Sequence, residues 1–198
     1  MAHSIRCNCG KVKGKVKSTK YVNRCVCYCA DCQAFARFFK GENNILNEMG
    51  GTSIVQTIPD NIILSEGIEN LACLRLTSTG LLRWYAACCN TPIGNTPPNP
   101  QMSFVGLIHN CLSSEENSLD QVFGPIGMHV NTQDAIGGDK PKSKGVLFGN
   151  LRVLAMILKA RFDGSYTRNP FFAPESTVPI VKPKVLSEQE LQDVMGRS

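Results

Sequence analysis

Between Arg24 and Phe35 the chain reads RCVCYCADCQAF, which sets Cys25, Cys27, Cys29 and Cys32 in a C-x-C-x-C-x-x-C pattern. Thiols this close together have few outlets: disulfides, a bound metal ion, or a reactive redox cysteine. Six further cysteines, at 7, 9, 73, 88, 89 and 111, bring the total to ten. A chain of 198 residues can bury an ordinary core, so it needs no disulfide staples to fold. The opening residues MAHSIRCNCGKVKGKVK contain no apolar run of the kind a secretory signal requires. A cytoplasmic, reducing setting is therefore expected, with the cysteines present as thiols.

The longest apolar stretch, VLFGNLRVLAMILKARF from Val146 to Phe162, is broken by Asn150, Arg152 and Lys159 and falls short of a bilayer span. It reads as a buried or docking helix, and no membrane partner is expected. The net charge of +5 is mild, and an aromatic content of 7% is low for a base-stacking surface, so no nucleic-acid partner is expected either. One basic stripe, K-V-K-G-K-V-K from Lys11 to Lys17, would place four lysines on one strand face. It reads as a solvated edge strand protected from sheet-to-sheet pairing.

Residues 4 to 106 alternate short apolar runs with Gly, Pro and Asn punctuation. Strands are expected at Ile5–Arg6, Lys11–Lys17, Tyr21–Val26, Ser53–Ile58, Ile62–Leu64, Leu71–Thr77, Leu81–Tyr85 and Phe104–Leu107, giving a mainly β, mostly antiparallel domain. A helix over Ala30 to Lys40 interrupts them, with Phe35, Phe38 and Phe39 at helical spacing as core residues. The run N-T-P-P-N-P, Asn95 to Pro100, reads as a turn or boundary and not a central strand. Further on, helices are expected over Ser113 to Asp120 and Ser143 to Phe162. A proline-rich extended segment lies between Arg168 and Lys184, and Ser187 and Glu190 form a capping box ahead of a last helix. The expected organisation is a zinc-binding β domain over 1–110 and a helical, Pro-rich extension over 111–198 packed on it.

The cysteines fall into three groups: Cys7-Asn8-Cys9-Gly10, the trio Cys27, Cys29 and Cys32, and the pair Cys88-Cys89. Short C-x-C and C-x-x-C loops let side-chain sulfurs converge on one cation, and Gly10 is where a tight knuckle needs positive φ. Three such groups in one β-rich region favour zinc, one or two ions per chain. A closed structural site takes four ligands, whereas a catalytic site supplies three and leaves one position open. The trio, crowded in one loop, fits the open type. Cys7 and Cys9 need partners from elsewhere, and Cys88 and Cys89 are the candidates. Neighbours in a strand point to opposite faces, which favours Cys89 over Cys88.

C7-x-C9-G10, then C27-x-C29-x-x-C32, then R83-W84-Y85-A86-A87-C88-C89-N90-T91-P92-I93 resembles the glutathione-dependent formaldehyde-activating enzyme (GFA) family in order and spacing. The resemblance covers about half the chain, Ile5 to Asn95 with the turn that follows. It implies a β-tent fold of short antiparallel strands, here followed by C-terminal helices. It also implies a structural zinc held by Cys7, Cys9 and Cys89, and a second, exchangeable zinc held by Cys27, Cys29 and Cys32. Near that second ion, family members bring glutathione and formaldehyde together to form a carbon–sulfur bond. Two positions depart from the pattern. Ala86 stands where the family has the first Cys of its C-x-x-C, and Asn90 stands where it has Gly. That leaves the structural site one ligand short: Cys88, Cys25 or a histidine fills it, or it stays empty.

A zinc ion on three thiolates is a poor activator of water and a good resting place for a fourth sulfur, which points independently to a small thiol such as glutathione as substrate. The expected activity is that of a carbon–sulfur lyase or adduct-former using formaldehyde or another small aldehyde. The alternatives are a non-catalytic zinc-binding interaction module with this fold, or a thiol redox protein using Cys25 or Cys88. Arg24, Arg37, Lys40 and Arg83 are all candidates to bind a substrate carboxylate. His109 reads as a core histidine, His129 as the histidine better placed to contact a site, Cys73 and Cys111 as small core hydrophobes, and His3 as disordered.

Overall fold

Most of the short apolar runs of the first half become strands. In the computed structural model, which describes residues 2–40, 44–112 and 117–196, the fold is mainly β, with four α-helices among those residues. A small antiparallel sheet is ordered β1 (His3–Arg6), β2 (Lys13–Val16), β5 (Ile62–Glu66). The main sheet places β3 (Asn23–Cys27), β4 (Thr52–Thr57), β9 (Val105–Ile108), β8 (Thr91–Thr96), β7 (Leu82–Ala86) and β6 (Leu71–Arg75) side by side, all antiparallel. Two short strands from the C-terminal half complete it in parallel, one at each edge: β10 (Met128–Val130) beside β3 and β11 (Lys184–Val185) beside β6.

The lysine stripe is not an edge strand, because β2 lies between β1 and β5. Its alternation holds nevertheless: Val12 and Val16 are buried while Lys11, Lys13 and Lys15 face solvent. β8 is a central strand whose last two residues, Asn95 and Thr96, belong to the run expected to be a turn or boundary. Pro92 sits opposite Tyr85, where the β7–β8 register shifts, and a residue with no N–H is tolerated at such an irregularity. The proline run begins only at Pro97, after the strand has ended. Gly94 is there because a Cβ would come within 2.8 Å of the Gly106 carbonyl oxygen on β9.

The main core packs Val16, Val55, Trp84, Ile93, Leu107 and Phe171 together. Trp84 donates its indole N–H to Thr96 Oγ1 at 2.9 Å, which settles the polar atom of a fully buried ring. Helix α1 (Ala30–Phe38) buries Phe35, and Phe39 follows it into a second cluster with Leu74, Leu76 and Ile108. α2 (Leu119–Phe123) starts at a Ser118–Gln121 capping box, later than the helix expected from Ser113, and residues 113–116 of that expectation lie outside the described residues. α3 (Val146–Phe162) begins after Gly145, whose left-handed φ of 64° excludes Ser143–Gly145 from the helix. α4 (Glu188–Met195) carries the expected capping box from Ser187 and Glu190 and packs on α1. His3 is ordered, contrary to expectation: its Nε2 lies 2.7 Å from the Leu112 carbonyl oxygen and its ring meets Phe123 edge-on. No helix among the described residues is long and apolar enough to cross a membrane.

Asp60 ties the small sheet to the C-terminal half by accepting from Lys17 Nζ at 3.0 Å and Arg168 Nε at 2.6 Å. Burial works to raise its pKa, but the hydrogen bonds from Arg168 and Lys17 outweigh it and leave the carboxyl below its ordinary 3.8. A depressed folded pKa lends stability that is full above the unfolded value and is lost as pH falls through the folded one. Asp60→Asn should therefore be less stable than wild type at neutral pH, with the gap in urea midpoint closing as the buffer is taken below pH 3.8. A gap that stays constant through the acid range would show the ion pairs to be inert.

Candidate metal centres

The first centre is assembled by two turns far apart in sequence. In the β1–β2 turn, Gly10 takes φ 76° and its N–H donates to the Cys7 carbonyl at 2.9 Å, closing a knuckle. The Val12 N–H turns onto Cys7 Sγ at 3.2 Å. In the β7–β8 turn, Asn90 takes φ 55° and the Cys89 N–H donates to the Ala86 carbonyl. Cys88 and Cys89 lie in this turn and not in a strand, so strand alternation does not apply and both sulfurs reach the same point. The two turns are tied by Asn8 N–H donating to Thr91 Oγ1 at 2.9 Å.

The Sγ atoms of Cys7, Cys9, Cys88 and Cys89 all lie within 4.8 Å of one another. Measured separations are 3.6 Å for Cys7–Cys9, 3.9 Å for Cys7–Cys88, 3.3 Å for Cys9–Cys88 and 3.9 Å for Cys88–Cys89. Four sulfurs at about 2.3 Å from a central ion would stand about 3.8 Å apart in a tetrahedron. The set therefore fits a metal, and it lies far outside disulfide distance; all ten cysteines are free thiols. Cys88 thus stands with Cys7, Cys9 and Cys89, and Ala86, buried in β7, contributes no ligand atom. Burial, with the neighbouring thiols, lifts the Cys88 thiol to about 12, whereas hydrogen bonds from Thr91 and Cys9 overcome burial at Cys89 and bring it to about 6.

The second centre is built where β3 runs into α1. Cys27 is the last residue of the strand, Cys29 is the N-cap of the helix, and Cys32 lies in its first turn. The Cys32 N–H donates to Cys29 Sγ at 3.4 Å, so the helix start itself orients the sulfur. The three Sγ atoms also lie within 4.8 Å of one another, and no described His, Asp or Glu joins them. Asn131, at φ 53° just beyond β10, donates Nδ2 to Cys27 Sγ at 3.3 Å. Hydrogen bonds from Cys29 and Cys32 hold the Cys27 thiol far below its usual range, to about 2. The bond to Cys27 raises Cys29 to about 11, and separate bonds to Cys27 and Cys29 push Cys32 up. Without a cation, then, only one of the three ionises readily. A soft cation would relieve the repulsion and let all three act as thiolates.

The two centres differ in what surrounds them. The four-thiol set packs against the main core, while the trio lines a cleft of about 610 Å3. Its walls include Asp31, Arg83, Asn95, Phe104, Asn131 and Val146. Arg83 is 2% exposed, bonds to Asp31 Oδ2 at 3.2 Å and lies over the Phe35 ring at 5.5 Å. It is the cleft-lining member of the four expected cations. Arg24 is spent on Asp120 and the Gly124 carbonyl, and Arg37 on Gln33 and the Val194 carbonyl. Cys25 also lines the cleft on the Cys27 side, but burial raises its thiol well above the ordinary value, so it offers no ready thiolate. His129 stacks on Tyr28 with ring centroids 6.1 Å apart, and it belongs to neither cysteine set. Burial lowers His109, in keeping with a core histidine. Asn131 is the site residue that sequence reading did not find, because nothing in G-P-I-G-M-H-V-N-T refers to a cysteine some hundred residues earlier.

No match was found among curated proteins. Among solved structures, the chain is similar to a crystal structure of a Rhodobacter sphaeroides protein, with 16% sequence identity and a TM-score of 0.41 over 60% of this chain and 93% of that one. A family model described as "Family of unknown function (DUF6151)" matches residues 2–172 and so takes in both cysteine centres and the cleft. The chain belongs to the DUF6151 family.

Proposed function

We propose that this protein holds zinc in both cysteine sets and uses the Cys27–Cys29–Cys32 centre to make or break a carbon–sulfur bond between a small glutathione-like thiol and formaldehyde or another small aldehyde. The observation that carries this reading is the contrast in ligand number: four sulfurs converge against the edge of the main core, but three converge at the wall of a cleft large enough for a small peptide. Cys27, Cys29 and Cys32 would hold the ion, and a zinc on three thiolates would supply the acidity to deprotonate an incoming thiol. The resemblance of the cysteine order to the GFA family supports the same assignment.

The chain's own groups have separate tasks in this proposal. Asn131 and the first turn of α1 fix the sulfurs of Cys27 and Cys29 at the wall of the cleft. Asp31, exposed at the cleft wall and held by Arg83, offers a carboxylate able to receive the amine of an amino-acid-like thiol. Phe104, Ile54 and Met128 line the cleft with apolar surface, which keeps water away from a reactive aldehyde. In the adduct-forming direction, the S–H bond gives way to an S–C bond and the proton ends on the aldehyde oxygen.

Calorimetry tests the proposal. Zinc-loaded protein should bind glutathione at millimolar concentration or below, and formaldehyde should tighten that binding. Absence of any binding heat at millimolar thiol would remove the enzyme reading and leave a metal-stabilised binding module.

A further inference from the structure

Helix α3 turns an apolar face to solvent. At about 100° per residue, Leu147, Phe148, Leu151, Leu154, Leu158 and Phe162 fall within about 120° of arc along a helix about 25 Å long. All six are exposed, Phe148 by 78% and Phe162 by 89%. The opposite face is the one the fold uses: Gly149, Met156 and Ala160 are buried, with Gly149 pressed against Met128. An uninterrupted apolar sector on the outside of a helix already docked on its other side needs an occupant.

The charges indicate which one. Every charged side chain within α3 is a cation, and they border the sector: Arg152 and Lys159 along one side, Arg161 along the other. Lys140, Lys142 and Lys144 precede the helix, and Lys20, whose carbonyl accepts from Arg152, adds a further cation beside it. The single acid at the helix end, Asp163, is paired with Lys159. A second copy docking in parallel would set Arg152, Lys159 and Arg161 beside their own duplicates. An antiparallel copy would bring Lys159 and Arg161 to the positive N-terminal end, next to Lys142 and Lys144. Self-pairing is therefore opposed in both orientations. An acidic surface suits all of these charges, and a ridge of exposed Leu and Phe side chains suits a fluid phase. Long basic side chains can reach up to headgroups while the Leu and Phe side chains enter the acyl region. Tyr21, 61% exposed and lining one pocket with Lys159, adds an amphipathic ring on that border.

We infer that α3 is an interfacial helix that seats this protein on anionic phospholipid surfaces, lying in the plane of the membrane without crossing it. Val146 and Asn150 line the trio's cleft while their neighbours Leu147 and Leu151 face outward, so the seated helix keeps the cleft beside the lipid.

Vesicle co-sedimentation of the metal-loaded full chain tests this, with sedimentation velocity run in parallel. Binding to phosphatidylcholine vesicles containing phosphatidylglycerol should exceed binding to pure phosphatidylcholine by about tenfold or more, and should weaken as salt rises. Leu151→Glu should abolish it, and Phe162→Ser should weaken it, with metal content and circular dichroism unchanged because both side chains already face water. Arg152→Gln with Lys159→Gln should cost about tenfold on the anionic vesicles alone. Failure of the wild type to bind either vesicle would overturn the inference. So would a concentration-dependent dimer, broken by Leu151→Glu, that ignores vesicles.

Discussion

Cys7→Ser is expected to lower stability by at least about 3 kcal/mol and to leave the protein largely unfolded at physiological temperature. A structural metal site contributes its binding free energy directly to folding, on the order of 10 kcal/mol for zinc on thiolates, against a total stability of about 5–15 kcal/mol for a domain. Cys7 is 1% exposed and belongs to the main core, so a hydroxyl there gains no water in exchange for the lost ligand. The centre also staples the β1–β2 turn to the β7–β8 turn, alongside the Asn8–Thr91 hydrogen bond. Cys73→Ser is the proper control: it replaces a similarly buried core thiol outside either set and should cost far less. Cys88→Ser decides the ligand count. If its sulfur is the fourth ligand, it should behave like Cys7→Ser in thermal melts; if three ligands suffice, its melt should match wild type, because the side chain is only half-buried.

Cys29→Ser should do the opposite, emptying one centre while leaving the fold in place. Serine is among the best N-cap residues, so α1 keeps its start and the stability change should stay within about 1 kcal/mol. Metal content should fall from two ions to one, and thiol affinity should drop by about 100-fold or more. Asn131→Ala removes the hydrogen bond to Cys27 Sγ without removing a ligand, and should weaken metal at this centre by about tenfold. Metal analysis by mass spectrometry under native conditions reads both changes. Loss of both ions from Cys29→Ser would mean that the centres are not independent.

The trio was legible in the sequence because its three sulfurs sit on one strand end and one helix start, where local spacing fixes geometry. The helix itself was equally legible, from Phe35, Phe38 and Phe39 at helical spacing after the cysteine cluster, with Asp31 in the first turn. What escaped were features set by tertiary contact. The run Asn95–Pro100 reads as a boundary, yet its first two residues, Asn95 and Thr96, close strand β8, which also contains the poor strand residues Pro92 and Gly94. In the sheet, an irregularity at Tyr85 absorbs the proline, and the neighbouring Gly106 backbone demands the glycine. β10 and β11 are too short to carry a periodic signal and exist only because edges of the main sheet are available to them. Cys88 ranks below Cys89 by an alternation rule that holds within strands, whereas the residue occupies a turn opened by the left-handed Asn90. The exposed face of α3 was hidden for a simpler reason: its apolar residues run most of the way round the helix, and only packing shows which of them stay in water.

A metal-edge anomalous map from crystals of the zinc-loaded protein addresses the central claim most directly. The account predicts two peaks. One should be enclosed by Cys7, Cys9, Cys88 and Cys89, and the other bound by Cys27, Cys29 and Cys32 with its fourth position turned to the cleft and taken by no protein atom. A map with no peak at the trio, or one in which a fourth side chain closes that site, would contradict it.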